Sequence, residues 1–229
     1  MKSIDTLLFD AHTHHESPTE GVVSIINRYV EQPLENGALY SMGIHPWHIP
    51  AEPQLTKQLA LLQQRVLSSS NIVAIGETGI DRSIQTPVQQ QEKVFMSQLS
   101  LAQKAQKPVI VHCVRAYPDI VRCIKETGFQ QPVIFHGYRA NIHITEMLMT
   151  HGFWVSLGER SLTMNSETLK CIRIDKLLVE SDDTPGSLAM VYEALASRLG
   201  FPLEYVTNAV EINFRTVFEI SSIKPLDIV

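Results

Sequence analysis

Six ionisable side chains of this chain occupy one kind of position. Asp10-Ala11-His12-Thr13-His14 closes the first apolar run, and Glu77 closes the run that ends in Ala74-Ile75-Gly76. His112 follows Pro108 to Val111, His136 follows Pro132 to Phe135, and Asp182 follows Leu177 to Val179 with Glu180 and Ser181 between. If the runs are strands, every candidate stands at a C-terminal end. In an extended segment His12 and His14 project to the same side, and two imidazoles on one side can bind one ion. A bare His-x-His is also what a solvated loop carries, so it decides little alone. Five or six ionisable groups placed alike are costly to gather unless they bind a cation. Four histidines and two carboxylates suit zinc, manganese, iron or nickel, and tolerate magnesium less well. Six ligands exceed the three protein ligands of a single catalytic zinc. Two ions bridged by Glu77 would use them all, activating a bound water and neutralising an anionic substrate. Asp182 would ligate and also accept the proton of that water, as a general base does.

The elements that must position these residues read as alternating strands and helices. Strands are expected at Thr6 to Phe9, Val22 to Tyr29, Leu39 to Ile44, Ile72 to Ile75, Val109 to Val111, Val133 to Phe135, Phe153 to Leu157 and Leu177 to Val179. Several are unbroken apolar runs, as in a parallel sheet covered on both faces. Leu55, Leu59, Leu62 and Val66 mark one face of a helix. Thr86-Pro87 predicts a helix start with Thr86 as the cap, the helix running to about Lys107. Tyr117 to Thr127, with Gly128 just past the end, is a second helix. Ile144 to Thr150, a short piece near Ser166 to Cys171, and the remainder to about Ile220 complete the set. This alternation predicts βαβ units. Periodicity alone does not separate a closed barrel from an open sheet, although no glycine-rich phosphate loop supports the nucleotide-binding alternative. Only about 30 residues separate the first strand from Ile44, where two full units of a barrel need roughly 60. At least one early helix is expected to be missing or very short.

The chain has 229 residues and a formal net charge of -5. One domain is the simplest organisation, slightly small for eight β/α units. The charge gives no support for a general nucleic-acid binder, which should be basic, but leaves room for an enzyme that grips a few phosphates with metal ions. Cys113, Cys123 and Cys171 are too few and too scattered for a disulfide framework, and the apolar run at Leu7-Leu8-Phe9 is too short for a membrane span. A cytoplasmic location is the default expectation.

Taken together the motifs resemble the TatD family of metal-dependent hydrolases, also called TatD-type deoxyribonucleases. The resemblance is carried by Asp10 to His14, Gly43-Ile44-His45-Pro46, Ile75-Gly76-Glu77-Thr78-Gly79-Ile80-Asp81, Pro108 to His112, His136-Gly137-Tyr138-Arg139 and Glu180-Ser181-Asp182, in the family's order. Phe95 to Ala105 and Asn208 to Phe218 resemble two of its helices. The resemblance implies a TIM-like (β/α)8 barrel, here distorted by the missing or short early helix, and phosphodiester hydrolysis, often of DNA. It implies one or two divalent ions, of zinc, manganese or magnesium, on His12, His14, Glu77, His112, His136 and Asp182, with Glu77 and Asp182 catalytic. By the same resemblance His45 is a cleft histidine that contacts substrate.

The chain departs from the family pattern in three places. Val114 stands where the family carries the Arg of His-x-Arg, and Arg115 follows; it is the candidate for a bidentate phosphate contact. Glu180-Ser181-Asp182-Asp183-Thr184-Pro185 has one residue more than the family's last motif, which sets Asp183 beside Asp182 as a rival ligand. The short first third removes wall from one side of the cleft and bears on DNA cleavage more than on metal binding. Two alternatives stay open: hydrolysis of an amide, lactone or phosphomonoester on the same metal site, and a metal-stabilised binding module without catalysis. Trp47 is noted as an aromatic near the cleft able to stack on a base, and Cys113 as a small apolar packing group.

Overall fold

The computed structural model describes residues 7–15, 19–184 and 188–220. In chain order its early elements are β1 (Leu8–Thr13), β2 (Val22–Tyr29), β3 (Leu39–Gly43), α1 (Gln54–Ser68), β4 (Ile72–Asp81), α2 (Val88–Ala105), β5 (Val109–Val114), α3 (Tyr117–Thr127) and β6 (Val133–Phe135). There follow α4 (Ile142–Thr150), β7 (Trp154–Leu157), α5 (Ser166–Lys170), β8 (Leu177–Val179), α6 (Leu188–Leu199) and α7 (Leu203–Phe218). The chain divides into two compact units, Met1–Ile26 with Gly137–Val229, and Asn27–His136. No helix among the described residues is long and apolar enough to cross a membrane.

In the Asn27–His136 unit, β3, β4, β5 and β6 pair successively in parallel. All ten residues of β4 but Val73 are buried, as expected of a parallel strand covered on both faces. Helix α2 packs on β4 through Val94, Phe95, Leu99 and Ala102, whose three- and four-residue spacing makes one apolar face. Gln98 lies on that face too and is fully buried. Its Oε1 accepts from Ile44 N at 2.7 Å, and its Nε2 donates to Ile44 O at 3.0 Å and Thr78 Oγ1 at 2.6 Å. One side chain of the helix thus ties the end of β3 to β4. Helix α3 ends where Gly128, at φ 64, donates its N–H back to Ile124 and Lys125, the left-handed cap that glycine permits.

In the other unit, β1 pairs in parallel with the start of β2, β7 with β8, and Thr13 bridges to Asp182 in parallel. Two C-terminal helices hold the outer side of these strands. Tyr192 of α6 donates its hydroxyl to Phe9 O at 2.8 Å and accepts from Phe9 N at 3.2 Å. Asn213 of α7 donates to Ile174 O at 2.7 Å and Leu177 O at 2.8 Å.

Five expectations need correction. Strand β1 runs to Thr13 rather than ending at Phe9 (Thr6 lies outside the described residues), and β4 and β5 run six and three residues beyond their expected ends. His12, Glu77 and His112, which looked like strand exits, are inside β1, β4 and β5, whereas His14, His136 and Asp182 do lie past the ends of β1, β6 and β8. Thr86 does not cap α2: Pro87 takes that position with no side-chain bond. The C-terminal stretch is two helices, broken at Gly200, at φ 76, and Pro202. The shortage of early helix is real. Residues 30–38, between β2 and β3, contain none, and neither do the described residues between β1 and β2.

Candidate metal centre

In the first unit the site is built where β1 meets the end of β8. The His14 N–H donates to Asp182 O at 3.1 Å, and the Asp182 N–H donates to His12 O at 3.0 Å. These two bonds fix Asp182 at φ 51, a left-handed conformation that Asp tolerates better than most residues. His12 Nε2 and His14 Nε2 lie 3.3 Å apart, and they stand 3.9 and 3.8 Å from Asp182 Oδ1. Such spacings fit donors that surround one cation at bonds of about 2.0–2.2 Å. Asp183 also brings a carboxylate within reach of His14 and Asp182, but it is exposed where Asp182 is half-buried.

Behind this cluster, Asp10 is buried and accepts from Ser181 N at 3.0 Å, Ser181 Oγ at 2.6 Å and His12 N at 3.3 Å. Burial pushes its carboxyl up to about 7, against the lowering pull of Ser181. Asp10 therefore fastens β1 to the segment carrying Asp182.

In the second unit three imidazoles meet one carboxylate oxygen. Glu77 Oε1 is 2.7 Å from His112 Nδ1, 2.7 Å from His136 Nε2 and 3.0 Å from His45 Nε2. The strands explain the convergence. Glu77, Gly79 and Asp81 alternate along β4, and His112 pairs with Gly79 across the ladder, so its ring lies between the two carboxylates. Asn27 steadies the Glu77 backbone, accepting its N–H at 2.8 Å.

Asp81 is buried and accepts from Ser83 N and Oγ, from Trp47 Nε1 at 2.7 Å and from His112 Nε2 at 3.1 Å. Burial works against its charge, but the bonds from Ser83, Trp47 and His112 outweigh it and bring the carboxyl down to about 2. His112 therefore stands between two carboxylates, Nε2 toward Asp81 Oδ2 and Nδ1 toward Glu77 Oε1, a close approach that a proton or a metal ion between the ring and Glu77 would stabilise. His45 is different. Its Nδ1 accepts the Trp47 N–H at 3.1 Å, so Nε2 carries the proton and donates to Glu77. Burial keeps this ring's pKa below the ordinary imidazole value, with Glu77 pulling the other way. The donor sets in both units thus fit a divalent ion, and His45 holds the carboxylate rather than offering a lone pair.

The structure places His12, His14 and Asp182 together in the first unit, and Glu77, His112, His136 and His45 together in the second. Arg115 is exposed just past β5, at φ 54. Asp10, Asp81 and Asn27 were not singled out from the sequence, although Asp10 and Asp81 stand inside quoted motifs. Their signal was the period of two that puts Asp10 in step with His12 and Asp81 in step with Glu77. Cys113, Cys123 and Cys171 are free.

These clusters of histidine and carboxylate fit a divalent metal ion, and comparison with known proteins names the family. The family model described as TatD related DNase matches residues 19–219, and the chain belongs to that family. The uncharacterized metal-dependent hydrolase YabD of Bacillus subtilis strain 168 is 25% identical over 258 residues, covering 94% of this chain and all of YabD. The 3'-5' ssDNA/RNA exonuclease TatD of Escherichia coli K12 is 25% identical over 205 residues, covering 78% of this chain and 77% of that protein. Among solved structures, the TatD homologue YJJV of Escherichia coli K12 superimposes with a TM-score of 0.82 at 21% identity, covering 95% of this chain and 100% of YJJV. A TatD family hydrolase of Entamoeba histolytica gives 0.75 at 16% identity, covering 94% and 99%. The fold is the expected TIM-like (β/α)8 barrel.

Proposed function

We propose that this chain hydrolyses phosphodiester bonds of nucleic acid with a metal-activated water. In this reading one or two divalent ions take His12, His14 and Asp182 of the first unit and Glu77, His112 and His136 of the second as ligands. The histidine-rich set favours zinc or manganese over magnesium. A bound ion supplies a water of lowered pKa and charge to neutralise the phosphate. Asp182, half-buried and fixed by its own backbone bonds, takes the proton from that water. Glu77 is oriented by the three imidazoles around Oε1 and by Asn27, which accepts its backbone N–H. Arg115, exposed beyond β5, offers a guanidinium fork to a phosphate, and His45, bonded to Glu77, is the second candidate contact to substrate. Three free cysteines suit a reducing compartment such as the cytoplasm.

The observation that carries this reading is His112 Nδ1 facing Glu77 Oε1 at 2.7 Å while its other nitrogen serves Asp81. That arrangement asks for a cation. The test is a substrate panel on purified, metal-loaded protein: bis-p-nitrophenyl phosphate, p-nitrophenyl phosphate, p-nitrophenyl acetate and single-stranded DNA, each with and without a chelator. Chelator-sensitive cleavage of the diester and of DNA is expected. Cleavage of the monoester or acetate alone would move the reading to another bond, and no cleavage at all would defeat it.

A further inference from the structure

Trp47 combines three properties found together at no other described residue: it is large, exposed, and fixed against the candidate metal ligands. It lies in the single 3-10 turn Pro46–His48 that follows β3, a turn capped by the His45 side chain. Its indole is 59% exposed, yet it is not loose. The indole N–H is anchored to buried Asp81 at 2.7 Å, and the ring stands edge-on to His45 at 5.1 Å and to His112 at 5.8 Å between centroids. Burial of an aromatic ring of this size is ordinarily favourable by a few kcal/mol. Here its face is left in water while a buried carboxylate holds its edge. A rigid aromatic face loses little entropy on receiving a second ring.

We propose that the exposed face of Trp47 is a platform on which a nucleobase of the substrate stacks, within the span of one nucleotide from the phosphate at His112. This rests on the phosphodiesterase reading and adds what selects the substrate: a planar base attached to the diester. Every base has a π-face, so the platform recognises nucleotides without choosing a sequence, and stacking of this kind contributes about 1–3 kcal/mol per base. That range corresponds to roughly a 5- to 140-fold change in selectivity.

The experiment compares thymidine 5'-p-nitrophenyl phosphate with methyl p-nitrophenyl phosphate, which share a leaving group and differ in the base. The native chain prefers the thymidine ester in kcat/KM. Trp47→Ala loses about 5- to 140-fold of that preference, most of it in KM. Trp47→Phe keeps most of it, because phenylalanine offers a ring although it cannot donate to Asp81. If Trp47 serves only to hold Asp81, both variants depress both substrates alike in kcat and the preference ratio is unchanged; that result overturns the proposal. A binding arm separates this from failure of the hydrolase reading. In metal-loaded protein carrying Trp154→Phe, Trp47 is the remaining tryptophan. Its fluorescence should be quenched saturably by thymidine 5'-monophosphate and not by 2-deoxyribose 5-phosphate. If neither diester is cleaved the hydrolase reading falls, and the quench still decides the platform. An equal response to both ligands, or none to either, overturns it.

Discussion

Gly79→Ala tests how the site is held. Gly79 sits between Glu77 and Asp81 on β4, opposite His112 on β5. A Cβ there would meet the His112 carbonyl oxygen at 2.0 Å, and the residue has φ +146, where a side chain is strained whatever the space. The clash cannot be relieved by a rotamer, because the atom it meets is backbone. The two strands must part by roughly 1 Å, an overpacking that costs about 1–3 kcal/mol, and the forbidden φ adds about 1–3 kcal/mol. The expected loss of stability is therefore about 2–6 kcal/mol, read by urea unfolding of metal-free protein. The same displacement would carry His112 away from Glu77, now 2.7 Å distant, so metal affinity measured by calorimetry should also fall. Gly128→Ala is the control. Its φ is +64 but nothing lies within 4 Å of a built Cβ, so it should cost only about 1–2 kcal/mol and leave metal binding intact. If Gly79→Ala unfolds within about 0.5 kcal/mol of the native chain, an ordinary surface-like effect, the close approach of β4 and β5 does not position His112.

Two further outcomes follow from buried groups elsewhere. Tyr192→Phe removes the hydroxyl that both accepts from and donates to Phe9; leaving these buried backbone groups short of a partner should cost about 1–3 kcal/mol by denaturant unfolding, and an unchanged midpoint would refute it. Burial pushes the Cys113 thiol up to about 12 and that of Cys123 to about 11, so neither forms thiolate near pH 8. An aromatic disulfide reagent at that pH should modify the native chain first at Cys171, as read by peptide mass; fast modification of Cys123 would contradict its burial.

The alternation of strands and helices was legible because parallel strands buried on both faces are unbroken apolar runs, and because helix ends such as Gly128 carry their own stop signal. The polar residues His12, Glu77, His112 and His136 were legible by position, each next to such a run. The strand ends were not. Asp10, Glu77 and Asp81 interrupt an apolar pattern in the same way whether they enter a loop or turn inward to a buried partner. What separates the two cases is the partner, Ser181 for Asp10 and Trp47 with His112 for Asp81, and each lies far away in sequence. The same holds for Gln98, polar on the apolar face of α2 because it closes backbone bonds at Ile44. The break between α6 and α7 was visible in Gly200 and Pro202 and was outweighed by the helical pattern around them.

His12, His14, Glu77, His112, His136 and Asp182 are the proposed ligands of divalent metal, and metal titration tests that role directly. Calorimetry of the metal-free chain with zinc and with manganese, alongside His14→Ala and His112→Ala, should show at least one ion bound per native chain. Each variant should weaken binding by at least the 10- to 100-fold typical of losing even an outer partner of a metal ligand. Saturating the native chain at about 100 times Kd should add about 2.7 kcal/mol of stability, a rise in Tm on the order of 5–11 °C at this size, which the variants lose. A native chain that takes up no metal, or variants that bind as tightly as the native chain and gain the same rise, would contradict the account.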